Sequence, residues 1–134
     1  MVVISAKRKE CIARAHAEEG TGKIKINSSS LDVYQPQLLR EYIKEPILLA
    51  DDLVDLNKIN ISINVHGGGV SGRSDAIRSA IARALIDYTK NEVLLKRYME
   101  YDRRLIVNDV RQTEPHKPGQ SNKGPRHQRQ KSYR

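Results

Sequence analysis

The chain has 134 residues and a formal charge of +8, with one cysteine, six tyrosines and neither phenylalanine nor tryptophan. That length suits one domain with a modest core plus an appendage, and a lone Cys11 excludes an internal disulfide and any cysteine-based zinc knuckle. No apolar run reaches the length of a signal-peptide core or a membrane span, so a soluble cytosolic protein is expected.

From Glu10 to Glu18, Cys11, Ala13, Ala15 and Ala17 alternate with Ile12, Arg14 and His16, which predicts a strand. Cys11 and His16 are near neighbours, but no further ligands cluster with them, and Cys11 reads as a small hydrophobe in that strand. Gly20-Thr21-Gly22 is a turn signal and Lys23-Ile24-Lys25-Ile26 alternates again, so the two segments together predict a hairpin. The serines of Asn27 to Ser30 can cap a short helix starting near Leu31 or Asp32. Pro36 begins a helix carrying Leu38, Leu39, Tyr42 and Ile43, since a first-turn proline gives up only an N–H that would be unpaired. Pro46 is expected to open a separate apolar helical patch, Ile47 to Leu56. The acids Asp51, Asp52 and Asp55 there read as a solvated face rather than acid–base machinery. Lys58 to Val65 (KINISINV) is the clearest strand, with Ile59, Ile61, Ile63 and Val65 on one face.

A glycine loop follows, and then a helix is predicted from about Ser74 to Thr89. Its stripe is Ile77, Ala80, Ile81, Ala84, Leu85 and Tyr88, with Arg78 at the edge and Arg83 away from it. Ser74 is the expected N-cap, with Asp75 near the positive end of the dipole. A further helix over Glu92 to Met99 leads to a short extended piece, Leu105 to Val107. Strands followed by helices, with one strand–helix unit in the middle, define an α+β class, a compact two-layer α/β sandwich. The expected division is a globular body, residues 1–109, and an extended basic C-terminal arm, residues 110–134.

Gly67 to Ser74 (GGGVSGRS) nearly spells the phosphate-binding loop G-x-x-x-x-G-K-[ST] between a strand and a helix. Arg73 stands where lysine belongs, and its guanidinium fork does not replace a compact ammonium. The chain is also short for the parallel sheet that carries such a loop, so nucleotide hydrolysis is not expected. The loop physics survives: Gly67, Gly68, Gly69, Ser71 and Gly72 allow a close backbone approach, and the helix N-terminus offers N–H groups and positive potential to an anion. Arg73 adds a bidentate phosphate donor. Histidines 16, 66, 116 and 127 are scattered, with no H-E-x-x-H pair and no nucleophile elbow, so no catalytic site, metal site or cofactor is expected.

The last twenty residues, Pro115 to Arg134, hold no acid and none of Ile, Leu, Val, Met, Ala, Phe or Trp. Six of the 24 cations lie there (Lys117, Lys123, Arg126, Arg129, Lys131, Arg134), leaving the first 114 residues nearly balanced at 18 bases against 16 acids. Such a segment cannot bury enough apolar surface to offset its ordering entropy, and it is expected to order only against dense negative charge, of which nucleic-acid phosphate is the commonest source.

Three blocks carry a family resemblance: Ala6-Lys7-Arg8-Lys9 with Cys11-Ile12-Ala13-Arg14-Ala15; Val65 to Leu85 (VHGGGVSGRSDAIRSAIARAL); and Tyr101-Asp102-Arg103-Arg104 leading to Gln130-Lys131-Ser132-Tyr133-Arg134. With these the chain resembles, over essentially its whole length, the family of the universal ninth protein of the small ribosomal subunit, in its archaeal and eukaryotic form. The closing KSYR departs from the SKR ending typical of bacterial members. The resemblance implies a two-layer fold with a left-handed βαβ crossover, no enzymatic activity, and a place on the cytoplasmic ribosome. It also implies docking in the head of the small subunit, against ribosomal RNA and neighbouring head proteins, with no membrane and no small-molecule substrate. The arm would reach the anticodon stem-loop of peptidyl-site tRNA with Lys131, Tyr133 and Arg134. Lys117, Lys123, Arg126 and Arg129 would lie along its path. Lys7, Arg8, Lys9, Arg14, Arg73, Arg78 and Arg83, with the glycine loop, would be candidates for ribosomal RNA contact. The rival reading is a free-standing RNA- or DNA-binding regulator, although six tyrosines and no Phe or Trp leave few stacking platforms for single strands.

Overall fold

In the computed structural model, which describes residues 1–118 and 124–125, the chain opens with two strands. β1 (Val2–Arg8) and β2 (Cys11–Glu19) form an antiparallel hairpin in register from Val2↔Ala17 to Arg8↔Cys11, turned by Lys9 at φ 53°. β1 is absent from the sequence reading, because the run Val2-Val3-Ile4 hides the alternation that would mark a strand.

The hairpin expected between β2 and β3 (Ile24–Ile26) does not form. β5 (Ile59–His66) lies between them, antiparallel to β2 and parallel to β3, and with β4 (Ser29–Ser30) the order is β1-β2-β5-β3-β4. β5 takes the centre because Ile59, Ile61, Ile63 and Val65 are all buried and need neighbours on both sides. The Gly20-Thr21-Gly22 segment therefore steps around the end of β5. Gly20 donates its N–H to the Lys58 carbonyl at 2.8 Å, and Thr21 and Lys23 donate theirs to Asn60 Oδ1 at 2.9 and 3.0 Å. A Cβ at residue 20 would fall 2.0 Å from Asn60 Nδ2, so a larger residue there would displace the amide that accepts these two N–H groups.

The short helix after Ser30 is a 3₁₀ turn, Leu31–Val33, with Ser30 Oγ accepting the Asp32 N–H. α1 (Gln37–Ala50) begins after Pro36 as expected but runs straight through Pro46 instead of restarting there. An interior proline costs about 3 kcal/mol in a helix. Here the ring is fully buried, and the Tyr98 hydroxyl donates to the Pro46 carbonyl at 2.6 Å, which ties α1 to α3 (Glu92–Tyr101). β3, α1 and β5 together make a βαβ unit.

α2 (Val70–Thr89) lies across β1, β2 and β5, with α1 and α3 packed beside it. Small side chains line this packing: Ala13, Ala15 and Ala17 of β2 are fully buried, as are Ala80, Ala82 and Ala84 of α2. Ile43, Ile77, Ile81, Leu85, Leu94, Tyr98 and Leu105 complete the core. α2 starts four residues before the expected N-cap. Ser74 is buried inside it and donates Oγ–H to the Val70 carbonyl at 3.1 Å, while Gly69 caps the helix without a side chain. Where an extended piece was expected at Leu105–Val107, the chain makes a 3₁₀ turn, Arg103–Leu105, capped by the Asp102 carboxylate accepting the Arg104 N–H at 2.9 Å. Residues 110–117 have no regular secondary structure. Lys123, Arg126, Arg129, Lys131, Tyr133 and Arg134 lie outside the described residues.

A candidate nucleic-acid interface

Because Ala6, Ala13, Ala15, Ile26, Ile61, Ile63 and Val65 turn inward, the residues between them must turn outward. Register then places them in rows across the uncovered face of the sheet. Lys7, Ile12 and His66 form one row; Ser5, Arg14 and Asn64 the next; Val3, His16, Ser62 and Lys25 the third. Lys7, Arg14, Lys25, Ser62, Asn64 and His66 are exposed, and these rows contain no acid. Glu18 and Glu19 sit at the far end of β2. The face is therefore most cationic at the end where β5 runs into the glycine loop.

In that loop Gly67 and Gly68 take positive φ, 81° and 54°, and each is also held to glycine by crowding. A Cβ at 67 would meet the Glu10 carbonyl oxygen at 2.3 Å, and one at 68 would meet Cys11 Sγ at 2.1 Å. Cys11 thus sits beneath the loop, its thiol donating to the Gly67 carbonyl at 3.3 Å. Burial pushes that thiol above its ordinary pKa, partly offset by the charge of Arg73, so it stays a neutral donor. Gly69 differs: its φ is −90°, and a Cβ there would touch nothing. No contact in the fold demands glycine at 69.

α2 rises directly from this loop, so its first N–H groups have no side-chain cap and carry the positive end of a twenty-residue helix. Exposed Arg73 folds its Nε–H back onto the Gly67 carbonyl at 2.9 Å, holding the guanidinium over the loop. Exposed Lys9 stands at the β1–β2 turn. Lys9, Gly68, Gly69, Ser71, Gly72 and Thr113 border a cleft of about 400 Å³ here. Lys7, Lys9, Arg14, the glycines, Ser71 and Arg73 are thus brought to one end of the molecule. Lys117, also expected at the interface, is exposed beyond the last regular element.

Three expected contact residues are differently occupied. Arg78, read as the edge of the helix stripe, is buried: Nη2 meets Glu45 Oε2 at 2.6 Å, Nη1 meets Asp102 Oδ2 at 2.8 Å, and the guanidinium lies 4.5 Å from the centre of the Tyr42 ring. Arg83 donates from Nε and Nη2 to the Ile106 carbonyl and from Nη1 to that of Ser5. Arg8 pairs with Asp75 at 3.3 Å and Asp109 at 3.1 Å. All three guanidinium groups have partners within the fold, Arg78 buried and Arg8 and Arg83 half-buried. Conversely, Lys25, Asn64 and His66 join the basic face unannounced, because only the β3–β5–β2 register aligns them with Arg14.

A sheet face carrying Lys7, Arg14 and Lys25, beside a glycine loop and an uncapped helix end, gives this α+β domain a surface suited to anionic ligands. The sequence pattern of the ribosomal protein S9/S16 family matches residues 6–134. The small ribosomal subunit protein uS9 of Methanococcus maripaludis (strain C7) is 45% identical over 128 residues, covering 96% of this chain and 94% of that protein. The same protein of Methanococcus vannielii is also 45% identical over 96% of this chain. The chain belongs to the ribosomal protein S9/S16 family, whose members are ribosomal constituents and not enzymes.

Proposed function

We propose that this chain, a structural constituent of the small ribosomal subunit in the cytoplasm, docks its body on small-subunit ribosomal RNA through the glycine-loop end. The observation that carries the reading is that exposed Lys7 and Arg14 on the uncovered sheet face, Lys9 at the β1–β2 turn and Arg73 in the first turn of α2 lie toward the end of the fold that carries an uncapped helix N-terminus. Gly67 and Gly68 keep the loop tight against β2, and bare Gly69 leaves room for a phosphate to reach the first N–H groups of α2. Residues 1–109 are the docking body and 110–134 the arm. The arm orders as phosphates neutralise Lys117, Lys123, Arg126 and Arg129, and its tip, Lys131, Tyr133 and Arg134, reaches the anticodon stem-loop of peptidyl-site tRNA. Neighbouring head proteins complete the surroundings.

Binding of full-length protein to the head segment of small-subunit ribosomal RNA, measured across salt concentrations, tests the body. Each phosphate contact contributes about 0.9 to the log–log salt slope, so replacing Lys7, Lys9, Arg14 and Arg73 together by alanine should lower the slope by roughly 3 to 4. An unchanged slope would remove the glycine-loop end from the interface. Removal of residues 130–134 should weaken tRNA retention in the peptidyl site while leaving incorporation of the protein intact; normal retention would refute the tip's role.

A further inference from the structure

We infer that a chain of side chains ending at Asp109 fixes the direction in which the C-terminal arm leaves the body, with Asp109 as its clasp and a positioning residue for the arm. This rests on the arm reading above. Asp109 lies past the last buried core residue, Leu105, in a segment without secondary structure, yet its side chain is only 12% exposed. Oδ2 sits 3.1 Å from Arg8 Nη1 on the body and 2.6 Å from Arg111 Nη2 on the arm; Oδ1 accepts the Arg111 backbone N–H at 2.8 Å. One carboxylate therefore joins the two.

The body side of the clasp is itself held. Arg8 Nε donates to Asp75 Oδ2 at 3.3 Å, and Asp75 Oδ1 accepts the Tyr42 hydroxyl at 2.9 Å. Tyr42 in turn accepts from Arg78 Nη1 at 3.1 Å, and Arg78 pairs with Asp102. The chain thus runs through β1, α2 and α1 to the residue after α3, and it pins residues 102–109 at both ends. Beyond it the chain reaches Thr113 at the rim of the glycine-loop cleft. The arm starts beside the surface proposed to dock on RNA, already aimed. Fixing the root in the free protein removes ordering entropy that would otherwise be lost on the ribosome, and it raises the effective concentration of the tip at its target.

Asp109 lies outside the hydrophobic core cluster, so its loss should move the arm more than the melting temperature. The test uses full-length Asp109→Asn and the conservative Asp109→Glu. In the free protein, backbone ¹⁵N order parameters of residues 110–114 should fall in Asp109→Asn and recover in Asp109→Glu, with Tm changed by only a few degrees in either. In reconstituted small subunits, Asp109→Asn should release peptidyl-site tRNA about 3- to 10-fold faster, a loss of preorganisation of about 0.7 to 1.4 kcal/mol at the standard conversion of tenfold per 1.4 kcal/mol. Order parameters unchanged by Asp109→Asn would overturn the clasp. Raised mobility with unchanged tRNA release would overturn its positioning role. The variant lacking residues 130–134 separates the two readings: if it too releases tRNA normally, the arm reading has failed, and the order parameters alone judge the clasp.

Discussion

Arg73 and Arg78 stand five residues apart on α2, one in the first turn and one in the third. The first is exposed and hydrogen-bonds to the carbonyl of Gly67; the second is sealed among Glu45, Asp102 and the Tyr42 ring. The same contrast separates two neighbouring glycines, Gly68 pressed onto Cys11 and Gly69 facing open space. In both pairs residue type is identical and surroundings decide the role. The helix-covered side consumes cations to neutralise its own acids, and the loop end leaves them facing outward. A contact set for RNA must therefore be chosen by what each cation already touches.

The sharpest way to break this contrast is Arg78→Ala. Removing one member of a buried ionic cluster leaves the others uncompensated, and a loss of about 3 to 5 kcal/mol in unfolding free energy is expected from denaturant titration. RNA salt slope, measured below the melting point, should not change. A stability loss under 1 kcal/mol would mean that Arg78 is not structurally committed.

Acid offers a milder version of the same break. Burial alone would raise the Asp102 carboxyl, but the Arg78 guanidinium and the Arg104 N–H outweigh it and hold the group below its ordinary pKa. Its surroundings are Arg78 of α2, Tyr42 and Glu45 of α1, and Arg104. A carboxyl with a lowered folded-state pKa contributes stability above its unfolded value, about 3.9, and loses that contribution as pH falls from there toward the folded value. Asp109, depressed chiefly by hydrogen bonds from Arg111, acts with the same sign. Thermal midpoints should be level from pH 7 to about 5 and fall below about 4. The fall should be shallower in Asp102→Asn; an equally steep fall there would show that Asp102 is not a source of it.

The glycines come next. Gly68→Ala must place a methyl group 2.1 Å from Cys11 Sγ at φ 54°, and about 1 to 3 kcal/mol of destabilisation is expected from overpacking and backbone strain. Gly69→Ala meets nothing, so its stability should stay within about 0.5 kcal/mol of the parent while RNA affinity falls. Equal stability effects at the two sites would erase the distinction between them.

Much of this was readable before any coordinates. KINISINV buries the four residues its alternation marks, and of the expected α2 stripe Ile77, Ala80, Ile81, Ala84 and Leu85 are fully buried and Tyr88 partly so, with Ala76 and Ala82 buried besides. What escaped depends on partners distant in sequence. Strand order follows from which strand most needs two neighbours, so β5 displaced the expected β2–β3 hairpin. α1 runs through Pro46, whose ring is fully buried and whose carbonyl is engaged by Tyr98, 52 positions later. Gly69, Val70, Ser71 and Gly72 are poor helix formers, and they concealed a start that the docking of α2 on β2 enforces. Arg78 looked like a helix edge because a cation in a stripe reveals nothing of Glu45 and Asp102 waiting opposite. Lys25 became visible as part of the basic face only through the β3–β5 register.

The smallest structural effect is expected where the functional one is proposed. Arg73 is exposed, and among the described residues its side chain hydrogen-bonds to the Gly67 carbonyl, which also accepts from Cys11. Arg73→Ala should therefore change unfolding free energy by no more than about 0.5 kcal/mol. Lysine at the same site keeps the charge but loses the planar fork that holds it over Gly67. If a phosphate is gripped bidentately at the first turn of α2, Arg73→Lys should retain the salt slope and still bind more weakly, whereas Arg73→Ala should lower the slope by about 0.9. Lysine binding as tightly as arginine would leave Arg73 a source of charge at this surface and not a geometric receptor.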